Sequence, residues 1–199
     1  MLDEFPAIDG FVTFVDPWIV PLSLQECWET FYAEGAPHPN DKLSAAAGAN
    51  IVEFTKRQDP DVSELKKYKE WMGQPVQKYN RMKTVFPLPP NPLISEVASI
   101  SHIMLMKKED TLIEITKINT TKGFPFADSV SMEEHLEVRT ADPRSRQSVF
   151  RHTYKLTWKI EPYSFVETIV GMLVRLKGVE FTAHMRDYLT QAAEEANAA

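Results

Sequence analysis

Few side chains in this 199-residue chain have the types and spacing to move protons or hold a metal. The five histidines (His38, His102, His135, His152 and His184) show no H-E-x-x-H or other ligand spacing, so no metal site is expected. Cys27 is the single cysteine; one thiol makes neither a disulfide nor a thiolate cluster, and it suits a reducing compartment. No G-x-S-x-G elbow, P-loop or G-x-G-x-x-G occurs, so elbow-type hydrolysis and nucleotide chemistry lack their signatures. What remains is acid/base chemistry. His152 and Tyr154 fall on one side of a period-two run, while Glu134 falls on the side of Met132 and Leu136 in another. A buried acid at Glu134 would be of interest as a proton-transfer group. His102 and His152 are candidates to approach one another across strands, but no paired carboxylate shares their side of the alternation. The residues therefore point away from catalysis, with no catalytic set and no cofactor expected. An enzyme using His152, Tyr154 and Glu134 is the alternative.

The elements that must position these groups are legible as periods. In PLSLQECWETFYAEG, residues 21–35, Ser23 is a helix N-cap with Glu26 at the capping-box spacing, and Gly35 is the stop. Residues 36–50 suggest a second short helix after two prolines. From about residue 51 the period becomes two: IVEFTKR, YNRMKTVF, SEVASISHIMLM, TLIEITKINT and VSMEEHLEVR read as strands. FPLPPNPL, KKED and KGFPFAD break them with turn residues. The clearest strand is 149–160, with Phe150, His152, Tyr154, Leu156, Trp158 and Ile160 toward a core and Val149, Arg151, Thr153, Lys155, Thr157 and Lys159 on a wet outer face. Pro162 then opens a helix of ~30 residues, ~45 Å at 1.5 Å per residue. Its first half is apolar on more than one side, through Phe165, Val166, Ile169, Val170, Met172, Leu173, Val174 and Leu176. The sheet accounts for one side only.

Short helices, five or six consecutive antiparallel strands and one long C-terminal helix define an α+β fold in a single domain over 1–199, with its core at about 11–192. A large sheet curls under its twist, so a helix lying across it encloses either side chains or a ligand cavity. Apolar residues make up 43% and charged residues 25%, enough for a core. The net charge of -6 argues against nucleic acid as a partner. No run approaches the roughly 20 apolar residues of a membrane helix, and the acidic MLDEFPAIDG start is unlike a signal peptide, so a soluble, cytoplasmic chain is expected.

Residues 123–130 (Gly123, Phe124, Pro125, Phe126, Ala127, Asp128, Ser129, Val130) resemble the aromatic-rich inter-strand element of the VASt domain, a START-like, helix-grip module of the Aster and Lam sterol transporters. Pro125, Phe126 and Asp128 carry the match. Upstream, Arg81 with Val85 or Phe86 is similar to that family's Arg-x-x-x-Tyr strand; downstream, KLTWKIEPYSFVETIVG is similar to its closing strand, Pro-Trp element and amphipathic helix, with Tyr163 in the tryptophan's place. The likeness spans roughly residues 77–191. It implies a curved antiparallel sheet around the long helix, with an internal cavity for one lipid, most simply a sterol, carried between membranes at contact sites. The lining then implied is Met104, Met132, Leu136, Phe150, His152, Tyr154, Trp158, Phe165, Ile169 and Met172, with His152 or Tyr154 meeting a sterol hydroxyl. Phe86, Leu88, Phe124, Pro125 and Phe126 are the implied lid or membrane-facing residues, the alternative being that these rings fold back onto the core. Membrane contact is implied to be transient and the chain monomeric. Glu161 and Glu167 stand where lysines are usual, which implies weak attraction to anionic lipid. A ligand-free interaction module is the remaining reading.

Overall fold

The computed structural model describes residues 5–37, 40–58, 78–87, 97–122, 127–141 and 146–198. The period-two runs pair in sequence order as an antiparallel meander: β3 (Asn50–Gln58), β4 (Lys78–Pro87), β5 (Val97–Lys108), β6 (Leu112–Lys122), β7 (Val130–Thr140) and β8 (Ser148–Trp158). Two short strands, β1 (Val12–Thr13) and β2 (Trp18–Val20), complete an eight-stranded sheet by pairing with the free edge of β8. The last strand of the meander is thereby covered by the start of the chain, which hides its unpaired amides.

Helix α1 (Leu24–Phe31) starts where the capping box requires: Glu26 N–H donates to Ser23 Oγ at 3.3 Å, and Ser23 N–H donates to the Glu26 carboxylate at 2.8 Å. Arg146 also pairs with that carboxylate and is the main reason its pKa is lowered to about 2. Helix α2 spans Asn40–Ala46, and the long helix α3 spans Ser164–Ala198, 35 residues or about 52 Å.

Register fixes which residues share a face. Val138, Leu136, Glu134, Met132 and Val130 of β7 stand opposite Phe150, His152, Tyr154, Leu156 and Trp158 of β8, and directly opposed residues project to the same side. This inner face carries α3, because Thr182 meets His152 of β8 and Phe181 meets Lys117 of β6. One end of the face is closed by α1, α2 and the second half of α3. There Trp18, Phe31, Leu43, Met104, Met106, Ile113, Ile115, Leu136, Val138, Phe150, Met185 and Leu189 form one buried cluster. Each fully buried aliphatic or aromatic side chain there contributes roughly 1.5–3 kcal/mol of burial free energy.

The outer face differs from expectation. Val149, Arg151 and Thr153 are buried, and only Lys155 and Thr157 turn partly or fully to water. The cause is the segment 5–11, which lies over β7 and β8. Phe5 packs 4.7 Å from the Arg151 guanidinium and 5.1 Å from that of Arg139, and Arg151 donates to the Pro6 carbonyl at 2.5 Å. Arg151 also pairs with buried Glu137. His135 sits in this network with Glu114 at 3.7 Å and Glu137 at 3.9 Å, and burial pushes its pKa down.

Candidate functional site

A polar row crosses the inner face at the level where the packed cluster ends. It is built by pairing: Glu134 on β7 stands beside Lys117 on β6 and Tyr154 on β8, and Met132 beside Asn119 on β6. The Glu134 carboxylate takes Asn119 Nδ2 at 2.6 Å on one oxygen; the other faces His152 Nε2 at 3.2 Å and Lys117 Nζ at 3.6 Å. His152 Nδ1 lies 2.9 Å from Thr182 Oγ1, and that hydroxyl is also 2.7 Å from the Gly178 carbonyl, four residues back along α3.

The proton positions follow from these contacts. Burial pushes the His152 pKa down; Glu134 acts against that effect and Lys117 reinforces it. A neutral imidazole with its proton on Nε2 donates to Glu134 and accepts the Thr182 O–H at Nδ1, which satisfies both contacts. If Thr182 instead donates to the Gly178 carbonyl, His152 donates to it from Nδ1 and also holds an ionised Glu134 only as an imidazolium, a state that burial opposes. In chemical order, Thr182–His152–Glu134 is a hydroxyl, a base and an orienting carboxylate. Thr182 is only 2% exposed and His152 only 1%. Both groups are withdrawn from solvent, and the row ties α3 to the sheet.

Phe14 closes the row on the β8 side. Its ring stacks on Tyr154 at 4.3 Å, sits 4.7 Å from His152, and fills the space beside Gly178, where an added Cβ would come within 2.0 Å of it. Glycine is required there by the close approach of Phe14, since the helix backbone itself makes no demand for it.

Beyond the row the inner face changes character. Met132, Tyr154, Leu156 and Trp158 are apolar or aromatic yet only half-buried. Val166, Val170 and Leu173 of the first half of α3 are buried, but they are not part of the packed cluster. The Tyr154 hydroxyl has no hydrogen bond among the described residues and lies at this boundary.

The expected lining residues therefore divide into groups. Met104, Leu136 and Phe150 are each at most 3% exposed inside the packed cluster, where Trp18 stacks 5.3 Å from Phe150; protein side chains already fill their surroundings. His152 belongs to the row, Tyr154 to the boundary, and Met132 and Trp158 to the half-buried region. Ile169 is half-buried on α3. Phe165 and Met172 are 54% and 60% exposed, on a side of α3 turned away from Val166, Val170 and Leu173. Phe86 is the penultimate residue of β4, opposite Ala98 of β5, and Leu88, Phe124, Pro125 and Phe126 lie outside the described residues. His102 and His152 do not meet across neighbouring strands, since β6 and β7 separate β5 from β8. A carboxylate does share His152's side, namely Glu134.

Sequence reasoning missed Phe14, Lys117, Asn119, Gly178 and Thr182. A signal for two of them existed: Ile113, Ile115, Lys117 and Asn119 are one alternation of β6, an inward run that turns polar partway along. Cys27 is buried, and desolvation raises its thiol to about 12, so it is chemically quiet. Among the described residues no cluster of three or more His, Cys, Asp or Glu is placed to hold a metal ion, and no helix is long and apolar enough to cross a membrane.

No family model and no curated protein matches the chain. Among solved structures it is similar to a conserved protein from Geobacillus kaustophilus, at TM-score 0.47 and 9% identity over 88% of this chain and 93% of that one.

Proposed function

We propose that this chain binds one lipid, most simply a sterol, between the inner face of the sheet and the first half of α3, and transfers it between membranes. In this reading the fold is a helix-grip, START-like arrangement whose packed half is the floor of a cavity. The observation that carries the proposal is the division of the inner face at the Glu134–His152–Lys117 row. On one side the core is closed; on the other, Met132, Leu156 and Trp158 remain half-buried, although Val166, Val170 and Leu173 of α3 are withdrawn from water. A lipid there would gain ~2.5 kcal/mol for each 100 Å² of apolar surface it buries. In this reading the Tyr154 hydroxyl would meet a ligand hydroxyl. The resemblance of residues 77–191 to sterol-transfer domains supports the same assignment, as does the scarcity of accessible acid/base groups.

Glu161 and Glu167 at the start of α3 favour weak, transient contact with a membrane surface over anchoring to anionic lipid. Action at membranes facing the cytoplasm fits this behaviour. A hydrolase or cyclase using His152, Tyr154 and Glu134 is disfavoured by the burial of His152.

The test is to purify the protein, extract it with organic solvent and look for a stoichiometric lipid. Transfer of fluorescent sterol and phospholipid between liposomes is then measured. One lipid per chain together with saturable transfer supports the proposal. Absence of both, with sterols and phospholipids alike, refutes it.

A further inference from the structure

Among the described residues, α3 has a second apolar side that neither the sheet nor the packed cluster uses. Phe165, Met172, Leu176 and Val179 are 54%, 60%, 54% and 36% exposed. With half-buried Ile169 and exposed Ala183 they recur at spacings of four, three, four, three and four residues. That is the a/d repeat of a coiled-coil seam, with Phe165, Met172 and Val179 at d and Ile169, Leu176 and Ala183 at a. The repeat stops where Arg186 and Thr190 take the next two positions, so the seam spans about 27 Å of helix.

We propose that this stripe is the interface with a second copy of this chain, the two α3 helices running parallel. Three observations select that occupant. First, the stripe is narrow: Val166 and Leu173 on one flank are turned into the chain's own body, while Ser164, Thr168 and Arg175 on the other are exposed and polar. A bilayer-lying helix presents a broad apolar face rimmed by cations, whereas a narrow seam fits another helix. Second, the flanking charges complement themselves. Arg175 occupies g and Glu180 occupies e, five residues on, which are the positions that face each other across a parallel pair. Two-fold symmetry makes that contact twice. Third, Glu180 is already oriented along the helix by Lys177, which holds one carboxylate oxygen at 2.7 Å and leaves the other for the partner's Arg175. The proposed dimer departs from the monomer that the resemblance implies.

The interface is short, so association is weak and depends on concentration. The test is sedimentation equilibrium of the intact chain from about 5 to 500 µM. The wild type shifts from monomer to dimer within that range. Leu176→Glu weakens the dimer at least about tenfold, with the thermal midpoint of the monomer unchanged because Leu176 is exposed. Arg175→Glu and Glu180→Arg each weaken it, and the double variant restores it. A wild type that stays monomeric throughout overturns the proposal. So does a dimer that the double reversal fails to restore, or a monomer that floats with phosphatidylcholine vesicles through Leu176. Lipid binding does not enter this test, so its outcome is independent of the transfer function.

Discussion

Replacing Glu134 by Ala removes the acceptor at the centre of the polar row. Three donors then lose this acceptor: Asn119 Nδ2, His152 Nε2 and Lys117 Nζ. Asn119 and His152 are at most 1% exposed, so neither can recruit bulk water without local opening. Each buried neutral donor that loses that acceptor costs about 1–3 kcal/mol. Lys117 costs less, because its ammonium retains the Phe181 ring at 3.9 Å and its side chain is 11% exposed. The two neutral donors together come to about 2–6 kcal/mol, a large share of the roughly 5–15 kcal/mol that holds an ordinary domain together. For a domain of this size, at about 2–4 °C per kcal/mol, that is a fall of about 4–24 °C in Tm, measured by calorimetry or circular dichroism at pH 7.5. Glu134→Gln keeps one acceptor oxygen and falls by less. A Glu134→Ala protein melting within about 1 °C of the wild type would refute the reasoning, since the row would then carry no net stabilisation.

Acid should destabilise the protein through its histidines. His135 and His152 both have pKa values pushed below 6.5 by burial, so the unfolded chain binds protons more readily than the fold. Their contribution is present in full above pH 6.5 and is lost as pH falls from there through the lowered folded values; Tm should drop from pH 7.5 to 5.5, and His135→Gln should flatten part of that slope. Gly178→Ala drives a methyl into Phe14 and should cost about 1–3 kcal/mol, relieved by pairing it with Phe14→Leu. Gly171→Ala meets nothing within 4 Å on the same helix and should stabilise by about 0.5–1 kcal/mol, so thermal melts of the two variants should move in opposite directions. Ser23→Ala, which removes the α1 cap, should cost about 1 kcal/mol in a denaturant titration.

The strands of the meander were legible because their side chains alternate over nine to twelve residues and turn-formers separate them. The start of α1 was legible because a capping box is local chemistry. β1 and β2 were not, being two and three residues long and held by their pairing to β8. The outer face of β8 was misjudged for a related reason. Arg151 and Thr153 look solvent-facing in a strand, and only the tertiary path of Phe5 to Phe11 buries them. At the site, Glu134, His152 and Tyr154 were each readable as polar groups on an inward alternation. Their assembly was not, because register decides which strand positions meet and a single sequence does not print register. Thr182 and Gly178 gain meaning only once α3 is laid on β8. The double apolar character of α3 was visible in the sequence; the assignment of Phe165 and Met172 to the exposed side required the helix to be docked.

The central claim is that the lipid lies beyond the polar row, between Met132, Leu156 and Trp158 on the sheet and Val166, Val170 and Leu173 on α3. Photo-crosslinking with a diazirine sterol, followed by peptide mass spectrometry, tests it most directly. The account predicts saturable labelling of those positions, competed by unlabelled sterol and suppressed by filling the space with Leu156→Trp. Labelling confined to Phe165, Met172 and Leu176, or labelling that neither saturates nor competes, would contradict it.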